Sequence, residues 1–257
     1  MTREPFVREV LVDGKRLEVV RWDGDPGRPA IVMLHEGLGS VSLWRDFPLR
    51  LCERTGCTVV AYSRYGYGRS DVLREKREPD YMHDEGEIVL PALLAALGIE
   101  RPVLFGHSDG ASIALICAGA RPEAVRALVL EAPHVFVEDV SVTSIAGAKT
   151  AYATTDLPAK LARHHADADA TFYGWNDIWL DPRFRAWNIE RYAERVRCPV
   201  LLIQGDADDY GTTAQLDSIA ARVASSETLL VTGAGHSPHR ETPEIVLDRI
   251  ASFIERI

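Results

Sequence analysis

The chain has 257 residues, enough for one large α/β domain or two small ones. Hydrophobic residues make up 46% and charged residues 26%, a mixture that argues against intrinsic disorder. The 29 basic and 38 acidic side chains give a net charge of −9, which disfavours nonspecific binding to nucleic acid or to an anionic membrane. No apolar run is long enough to span a bilayer, and the amino terminus lacks the apolar stretch of a secretory signal.

Short apolar runs alternate with helical patterns along the chain. The predicted strands are 7–13, 16–22, 30–35, 58–63, 102–107, 126–131, 199–204 and 228–232, and the predicted helices are 41–54, 84–97, 109–120, 214–224 and 242–256. Continuous apolar strands are typical of a parallel sheet covered on both faces, and the alternation predicts a doubly wound α/β fold. Asp13-Gly14 joins the first two strands, so we expect the sheet to begin with an antiparallel hairpin.

The alternation breaks between about 134 and 192. This stretch holds three of the five tryptophans, and its spaced apolar residues, such as Leu157 and Leu161, favour helix over strand. No linker of flexible composition flanks it. We therefore predict a helical lid at 134–192 inserted into an α/β core formed by 1–133 and 193–257.

A G-x-S-x-G motif, GHSDG at 106–110, lies between the predicted strand 102–107 and the predicted helix 109–120. In this context the serine sits on a sharp strand-to-helix turn, where side chains at Gly106 and Gly110 would collide with neighbouring segments. The turn exposes the Ser108 hydroxyl at the amino end of a helix, where backbone N–H groups favour developing negative charge. Ser108 is therefore the predicted nucleophile, and it needs a base to take its proton.

The glycine-rich loop GAGHSPH at 233–239 follows the last predicted strand and holds two histidines. His236 is the predicted general base, and His239, three residues later, is its competitor. A pair of histidines is also compatible with a metal site, but the sequence offers no obvious third ligand nearby. The cysteines are equally uninformative for metal binding, since none forms a C-x-x-C pair. No metal is therefore expected.

The predicted strand 199–204 runs into GDADD at 205–209. A carboxylate here can accept a hydrogen bond from the second nitrogen of the base, which fixes its tautomer and stabilises the imidazolium. Asp206, Asp208 and Asp209 compete for this role, and the G-x-x-D spacing favours Asp208.

These motifs, with HEGLGS at 35–40 and SRYGYGRSD at 63–71, resemble those of the α/β-hydrolase superfamily over essentially the whole chain. The order Ser108, Asp208, His236 matches the triad order of that superfamily. Within it the chain is similar to compact serine esterases, C–C bond hydrolases and haloperoxidase-like members with one helical lid. It differs from the dehalogenases, which carry aspartate at the position of the nucleophile. The resemblance implies a Ser-Asp-His triad and no cofactor.

An oxyanion hole needs two N–H donors aimed at the developing negative charge. The backbone of Asp109 is expected to supply one, and Gly37, in the loop after strand 30–35, the other. Glu36 replaces the glycine found in the H-G-x-x-G loops of related hydrolases. It is either a structural anchor, bonded to nearby backbone or to Arg64, or a carboxylate beside the oxyanion hole that disfavours anionic substrates.

Trp175 and Trp179 are four residues apart and share one face of a predicted helix. They either pack the lid onto the sheet or line an apolar acyl pocket. The pocket candidates are Glu36, Leu38, His107, Phe136, Trp175 and Trp179. His164 and His165 are expected to be solvated or to cap the end of a helix.

The sequence thus predicts a cytoplasmic serine hydrolase that cleaves a small carboxylic ester with an apolar or aromatic portion through an acyl-enzyme. Its expected partner is a small-molecule substrate, with no nucleic acid, membrane or cofactor, and the sequence does not determine an oligomeric state. The alternatives are hydrolysis of a C–C bond in a diketone of aromatic catabolism, perhydrolysis, and a low-turnover ligand receptor on the same fold.

Overall fold

A computed structural model of the chain describes residues 4–257, within which eight strands form one sheet of order β1-β2-β4-β3-β5-β6-β7-β8. The strands are Phe6–Val12 (β1), Lys15–Trp22 (β2), Ala30–Leu34 (β3), Thr58–Tyr62 (β4), Val103–His107 (β5), Ala127–Glu131 (β6), Val200–Gly205 (β7) and Ser226–Val231 (β8). β1 and β2 form an antiparallel hairpin, β2 also pairs antiparallel with β4, and the remaining pairs are parallel. The predicted mostly parallel sheet with an antiparallel first hairpin is confirmed.

Helices cover both faces of the sheet. They are Phe47–Thr55 (α1), Tyr81–Asp84 (α2), Leu90–Leu97 (α3), Asp109–Ala120 (α4), Asp139–Thr154 (α5), Leu157–Leu161 (α6), Ala168–Trp179 (α7), Glu190–Ala193 (α8), Ala214–Ala220 (α9), Pro238–Glu241 (α10) and Pro243–Ile254 (α11). Alternate β3 residues enter two cores: Val32 and Leu34 pack with α4, and Ile31 and Met33 pack with α1 and α11. None of the helices that the structure describes is long and apolar enough to cross a membrane.

Two predicted helices are wrong in detail. Instead of one helix at 41–54, a short 3-10 turn at Val41–Trp44 precedes α1, because Arg45 takes a positive φ of 55° and ends the turn. Pro48 then lies in the first turn of α1, where its missing N–H costs nothing. The predicted helix 84–97 is instead α2, a π-helical turn at Glu85–Val89 and α3 in succession.

The segment between β6 and β7 contains α5, α6, α7 and α8, with a 3-10 turn at Pro182–Ala186. An isolated antiparallel bridge between Phe136 and Asn188 brings the two ends of this segment together. α5 packs on α7, and α8 packs on the carboxyl-terminal end of α4, where Tyr192 lies against Gly119. The assignment of residues 134–192 as a lid stays a prediction.

Candidate active site

Three loops at the carboxyl edge of the sheet bring Ser108, His236 and Asp208 together. Ser108 follows β5, Asp208 follows β7 and His236 follows β8. The Ser108 Oγ lies 3.0 Å from Nε2 of His236, and Nδ1 of His236 lies 2.9 and 3.0 Å from the two carboxylate oxygens of Asp208. The arrangement can pass a proton from a hydroxyl to an imidazole whose other nitrogen donates to a carboxylate.

The backbone at Ser108 is strained, with φ 54° and ψ −119°. Its neighbours must be glycine: a Cβ at Gly106 would lie 2.3 Å from the Gly110 oxygen, and one at Gly110 would lie 2.1 Å from the Leu34 oxygen. The N–H of Ser108 donates to the backbone oxygen of Glu131 at 2.8 Å. Close packing against β3 and β6 therefore holds the turn in a conformation that the backbone otherwise disfavours.

The Asp208 carboxylate is held from two further sides. The N–H of Tyr210 donates to Oδ1 at 2.8 Å, and the Gln204 side chain donates to Oδ2 at 3.2 Å. Burial alone would raise the pKa of Asp208, but the hydrogen bond and charge of His236 outweigh it and lower that pKa. Asp208 is therefore ionised at neutral pH and oriented toward His236.

The competing residues lie elsewhere. The Asp206 carboxylate accepts the N–H of Gly233 at 2.7 Å, so it closes the loop that carries His236 without touching the imidazole. The Nδ1 of His239, the alternative base, hydrogen-bonds Glu131 at 3.0 Å. Asp209 offers its backbone oxygen to a serine of α5.

A buried arginine orients the peptide between Glu36 and Gly37. The Glu36 carbonyl accepts hydrogen bonds from Nδ1 of His35 at 2.7 Å, from Nη2 of Arg64 at 3.1 Å and from the N–H of Gly39 at 3.1 Å. Arg64 also donates to the His35 carbonyl at 2.7 Å. Because N–H and C=O point in opposite directions in a trans peptide, these donors fix the Gly37 N–H on the side away from Arg64.

The side chain of Asp109 is buried beneath the nucleophile turn. Tyr81 donates to its carboxylate at 2.7 Å and the Trp179 indole at 3.3 Å, while Arg64 lies 3.9 Å away. Burial raises the pKa of Asp109 despite these partners. The backbone N–H groups of Asp109 and Gly37 have no acceptor within residues 4–257, as expected of donors that await an oxyanion.

The carboxylate of Glu36 faces His107 and not Arg64, with 3.7 Å between Oε2 and Nδ1 of the imidazole. Burial would raise the pKa of Glu36, but His107 outweighs it and lowers that pKa. The Glu36 carboxylate also closes over Gly39, where a Cβ would lie 2.2 Å from Oε2. The contact between Arg64 and Glu36 therefore uses the backbone oxygen of Glu36, and the Glu36 side chain faces His107, a partner that the sequence had not suggested.

His107, Glu131 and His239 form a buried cluster behind Ser108, with their donor atoms within 4.8 Å of one another. The sequence had not linked Glu131 to the histidines. Nδ1 of His239 and its N–H both contact Oε1 of Glu131, at 3.0 and 2.8 Å, and Nε2 of His107 lies 2.7 Å from the His236 carbonyl. Because Oε1 of Glu131 and Nε2 of His107 already have hydrogen-bond partners, we interpret the cluster as a structural arrangement of hydrogen bonds and opposite charges.

The two tryptophans of α7 contact different halves of the expected oxyanion hole. Trp175 packs on Gly37 so closely that a Cβ there would lie 2.1 Å from the indole nitrogen. Trp179, with 1% of its surface exposed, donates to Asp109 and packs on His134 with ring centroids 5.2 Å apart.

The remaining pocket candidates are partly buried. The Leu38 carbonyl accepts from Nε2 of His165, whose Nδ1 in turn accepts the N–H of Gly68 at 3.0 Å. His165 is thus buried, and its predicted solvation is wrong: the residue bridges two loops, a long-range contact with no local sequence signal. Phe136 bridges Asn188, and its hydrogen bonds go to a glutamine of α9 rather than to the triad.

These contacts predict different roles for the two tryptophans. We expect Trp179→Ala to lower the melting temperature strongly, since truncating a large buried aromatic costs about 3–5 kcal/mol. Trp175 is also buried, so Trp175→Ala should lose stability too, but its position against Gly37 should in addition change the preference among ester chain lengths. Thermal unfolding and kcat/KM for short and long esters test both. If both variants keep the ratio of short-chain to long-chain kcat/KM within about twofold of the wild-type ratio, a difference in activation free energy under 0.5 kcal/mol, neither ring lines the acyl pocket.

Comparison with known proteins identifies the family. A family model described as the alpha/beta hydrolase fold matches residues 29–238. The chain belongs to this family. The fold therefore agrees with the resemblance carried by the sequence motifs.

The relatives are hydrolases with different substrates. The chain is 26% identical to the sn-1-specific diacylglycerol lipase ABHD11 of Mus musculus, over 90% of this chain and 83% of that protein. It is 28% identical to the putative carbamate hydrolase RutD of Escherichia coli, over 87% and 91%. The solved enol-lactonase of Burkholderia xenovorans superposes with a TM-score of 0.77 at 20% identity, covering 96% of this chain and all of that one. The curated relatives support a hydrolase.

Proposed function

We propose that this protein is a cytoplasmic serine hydrolase that cleaves a small carboxylic ester with an apolar or aromatic portion. The observation that carries the proposal is the continuous chain of hydrogen bonds from Ser108 through His236 to Asp208 on a strained nucleophile turn. All four cysteines are buried, and no disulfide links them within residues 4–257, which supports a reducing compartment.

In the acylation step, the Oγ of Ser108 attacks the ester carbonyl carbon while its proton passes to Nε2 of His236. Asp208 stabilises the imidazolium that forms. The carbonyl oxygen becomes an oxyanion, which accepts hydrogen bonds from the N–H groups of Gly37 and Asp109. Collapse of this intermediate breaks the C–O bond, and His236 gives the proton to the departing alcohol.

In the deacylation step, water takes the place of the alcohol. His236 removes a proton from the water as its oxygen attacks the acyl carbon, and the same two N–H groups hold the second oxyanion. Breaking the bond to Ser108 Oγ, with return of the proton, releases the carboxylic acid and restores the enzyme. No residue is oxidised or reduced, so the cycle needs only ester and water.

The surroundings of the oxyanion hole support an uncharged, apolar substrate. Trp175 and Leu38 bring apolar surface to the loop that carries Gly37. The ionised Asp208 lies next to the catalytic imidazole, and its negative charge disfavours an anionic acyl group.

A substrate panel with an active-site probe tests the proposal. We expect p-nitrophenyl acetate, butyrate and benzoate to be hydrolysed, and a fluorophosphonate to stop that turnover by modifying Ser108. A ring-fission dienoate tests the C–C alternative, a carbamate and a diacylglycerol test the chemistry named for the relatives, and peroxide with an organic acid tests perhydrolysis. Saturable binding of a ligand without turnover of any compound would contradict the proposal and favour the receptor alternative.

The peptide held by Arg64 gives a further prediction. Arg64→Met should lower kcat for esters by about 10- to 100-fold, because the Gly37 N–H is displaced. Complete removal of an oxyanion donor lowers kcat by a factor of about 10²–10³, so a displaced donor should have the smaller effect. Arg64→Lys, which keeps the charge beside Asp109, is the matched control for folding, and its kcat should fall less than that of Arg64→Met. Circular dichroism and the split between kcat and KM measure the outcome, and an unchanged kcat in a folded Arg64→Met variant would contradict this role.

A further inference from the structure

His107, the residue before the nucleophile, is buried, with 1% of its surface exposed. Its Nε2 lies 2.7 Å from the backbone carbonyl of His236. A carbonyl oxygen can only accept a hydrogen bond, so Nε2 carries a proton. This bond ties the loop that bears His236 to the end of β5, one residue from Ser108.

The other ring nitrogen, Nδ1, faces the carboxylate of Glu36 at 3.7 Å and has no hydrogen-bond partner within the described part of the chain. A lone pair on Nδ1 would be repelled by this carboxylate, whereas a proton on Nδ1 would be attracted by it. With Nε2 already a donor, a proton on Nδ1 makes His107 an imidazolium.

The ionisable and aromatic groups facing His107 come from every element packed against it: Glu36, Trp44, Glu131, His134, His236 and His239. Two of these groups are carboxylates, and one of them, Glu131, also receives two hydrogen bonds from His239. Burial alone would lower the pKa of His107, but Glu36 and Glu131 outweigh it and raise that pKa to about 9. The imidazolium form therefore persists at neutral pH.

We propose that His107, as an imidazolium between Glu36 and the carbonyl of His236, is a positioning residue. It holds the loop that carries Gly37 and the catalytic histidine in place beside Ser108. The inference rests on the proposed function. It also accounts for Glu36 at a position where related loops carry glycine: the carboxylate is the partner of a cation on the nucleophile turn.

Loss of the proton reverses the interaction. Above a pH of about 9, the Nδ1 lone pair of His107 faces the Glu36 carboxylate, so the attraction between His107 and the loop that carries Glu36 is lost, while Nε2 still donates to the His236 carbonyl. Because the pKa of His107 is raised in the folded state from an ordinary 6.5, its contribution to stability is complete below about pH 6.5 and is lost as the pH rises through about 9. We expect the reactivity of Ser108 and the melting temperature to fall together in this range.

Three variants test the inference, with the rate of fluorophosphonate labelling from pH 6 to 10 as the readout. His107→Gln keeps an N–H donor for the His236 carbonyl but cannot titrate, so its labelling should stay within about tenfold of the wild type at pH 7 and lose the alkaline decline. His107→Leu removes the donor and should label about 10- to 100-fold more slowly, as expected for a displaced catalytic group. Glu36→Gln should move the decline to lower pH by about one unit or more, because the residual pairing is weaker.

Equal labelling rates of His107→Gln and His107→Leu at pH 7, or an unshifted decline in Glu36→Gln, would overturn the inference. An NMR titration of isotopically labelled histidines gives the charge of His107 independently of any activity. One imidazole should titrate near pH 9 and be missing from His107→Gln, and its absence from the wild type would also overturn the inference. Failure of wild-type Ser108 to react would instead reject the proposed function, and the NMR result would still decide whether His107 is charged.

Discussion

Ester turnover should be lost when Ser108 is replaced by alanine, with kcat falling by a factor on the order of 10⁶, as for loss of a triad nucleophile. The Oγ supplies the bond to the acyl group, and neither His236 nor Asp208 can replace it. Only a hydroxyl is removed, and the turn is held by the packing of Gly106 and Gly110, so the fold should be retained. Turnover of p-nitrophenyl esters and fluorophosphonate labelling measure the loss.

A matched control for this substitution is Ser112→Ala. Ser112 lies on α4, and its buried hydroxyl donates to the His134 carbonyl at 2.6 Å, so it is another small serine near the site. The His134 N–H also donates to this hydroxyl, so its loss leaves two buried backbone groups without that partner; it should reduce stability by about 1–3 kcal/mol and should leave labelling in place. Labelling that persists in Ser108→Ala would contradict the assignment of the nucleophile.

The second large effect is expected for Asp208→Asn, with kcat lower by roughly 10²–10⁴. The carboxylate accepts from Nδ1 of His236, which leaves Nε2 free to accept the proton of Ser108. An amide NH₂ at the same place favours the tautomer protonated on Nε2, in which His236 cannot act as a base. The rise of kcat/KM with pH, compared between Asp208→Asn and the wild type, gives a second readout.

Asp206→Asn is the matched control. Asp206 lies in the same loop and carries one hydrogen bond, from the N–H of Gly233 to Oδ1, which the amide oxygen can still accept. We expect a loss of less than about tenfold, as for an exposed group outside the chemistry. A larger loss in Asp206→Asn than in Asp208→Asn would show that the G-x-x-D spacing selects the wrong aspartate.

The features predicted from the sequence are those set by local constraints. The helix after Ser108 begins and ends where the pattern placed it, at Asp109 and Ala120, and it begins there because the glycines at 106 and 110 permit the sharp turn at Ser108. The parallel strands follow from continuous apolar runs, and the first hairpin follows from Asp13-Gly14, both of which take positive φ. The three residues singled out as a triad are the ones that the fold brings together.

The features that were missed depend on contacts distant in sequence. The pair between Glu36 and His107 spans 71 residues, and His165 bonds to Leu38 across 127 residues and to Gly68 across 97. Neither has a periodic or spacing signal, since each depends on how separate loops pack. The break near Arg45 was also missed, because the apolar pattern continues across it while the backbone there turns to a positive φ.

Detection of the acyl-enzyme tests the central claim most directly. Turnover of p-nitrophenyl butyrate would be stopped in acid during the first cycle, the protein would be digested, and the masses of the peptides would be measured by mass spectrometry. We predict that the peptide containing Ser108 gains the mass of a butyryl group in place of the hydroxyl hydrogen, and that no peptide with this added mass is obtained from Ser108→Ala. A butyryl group on another residue, or Ser108→Ala turning over the ester as fast as the wild type, would contradict the account.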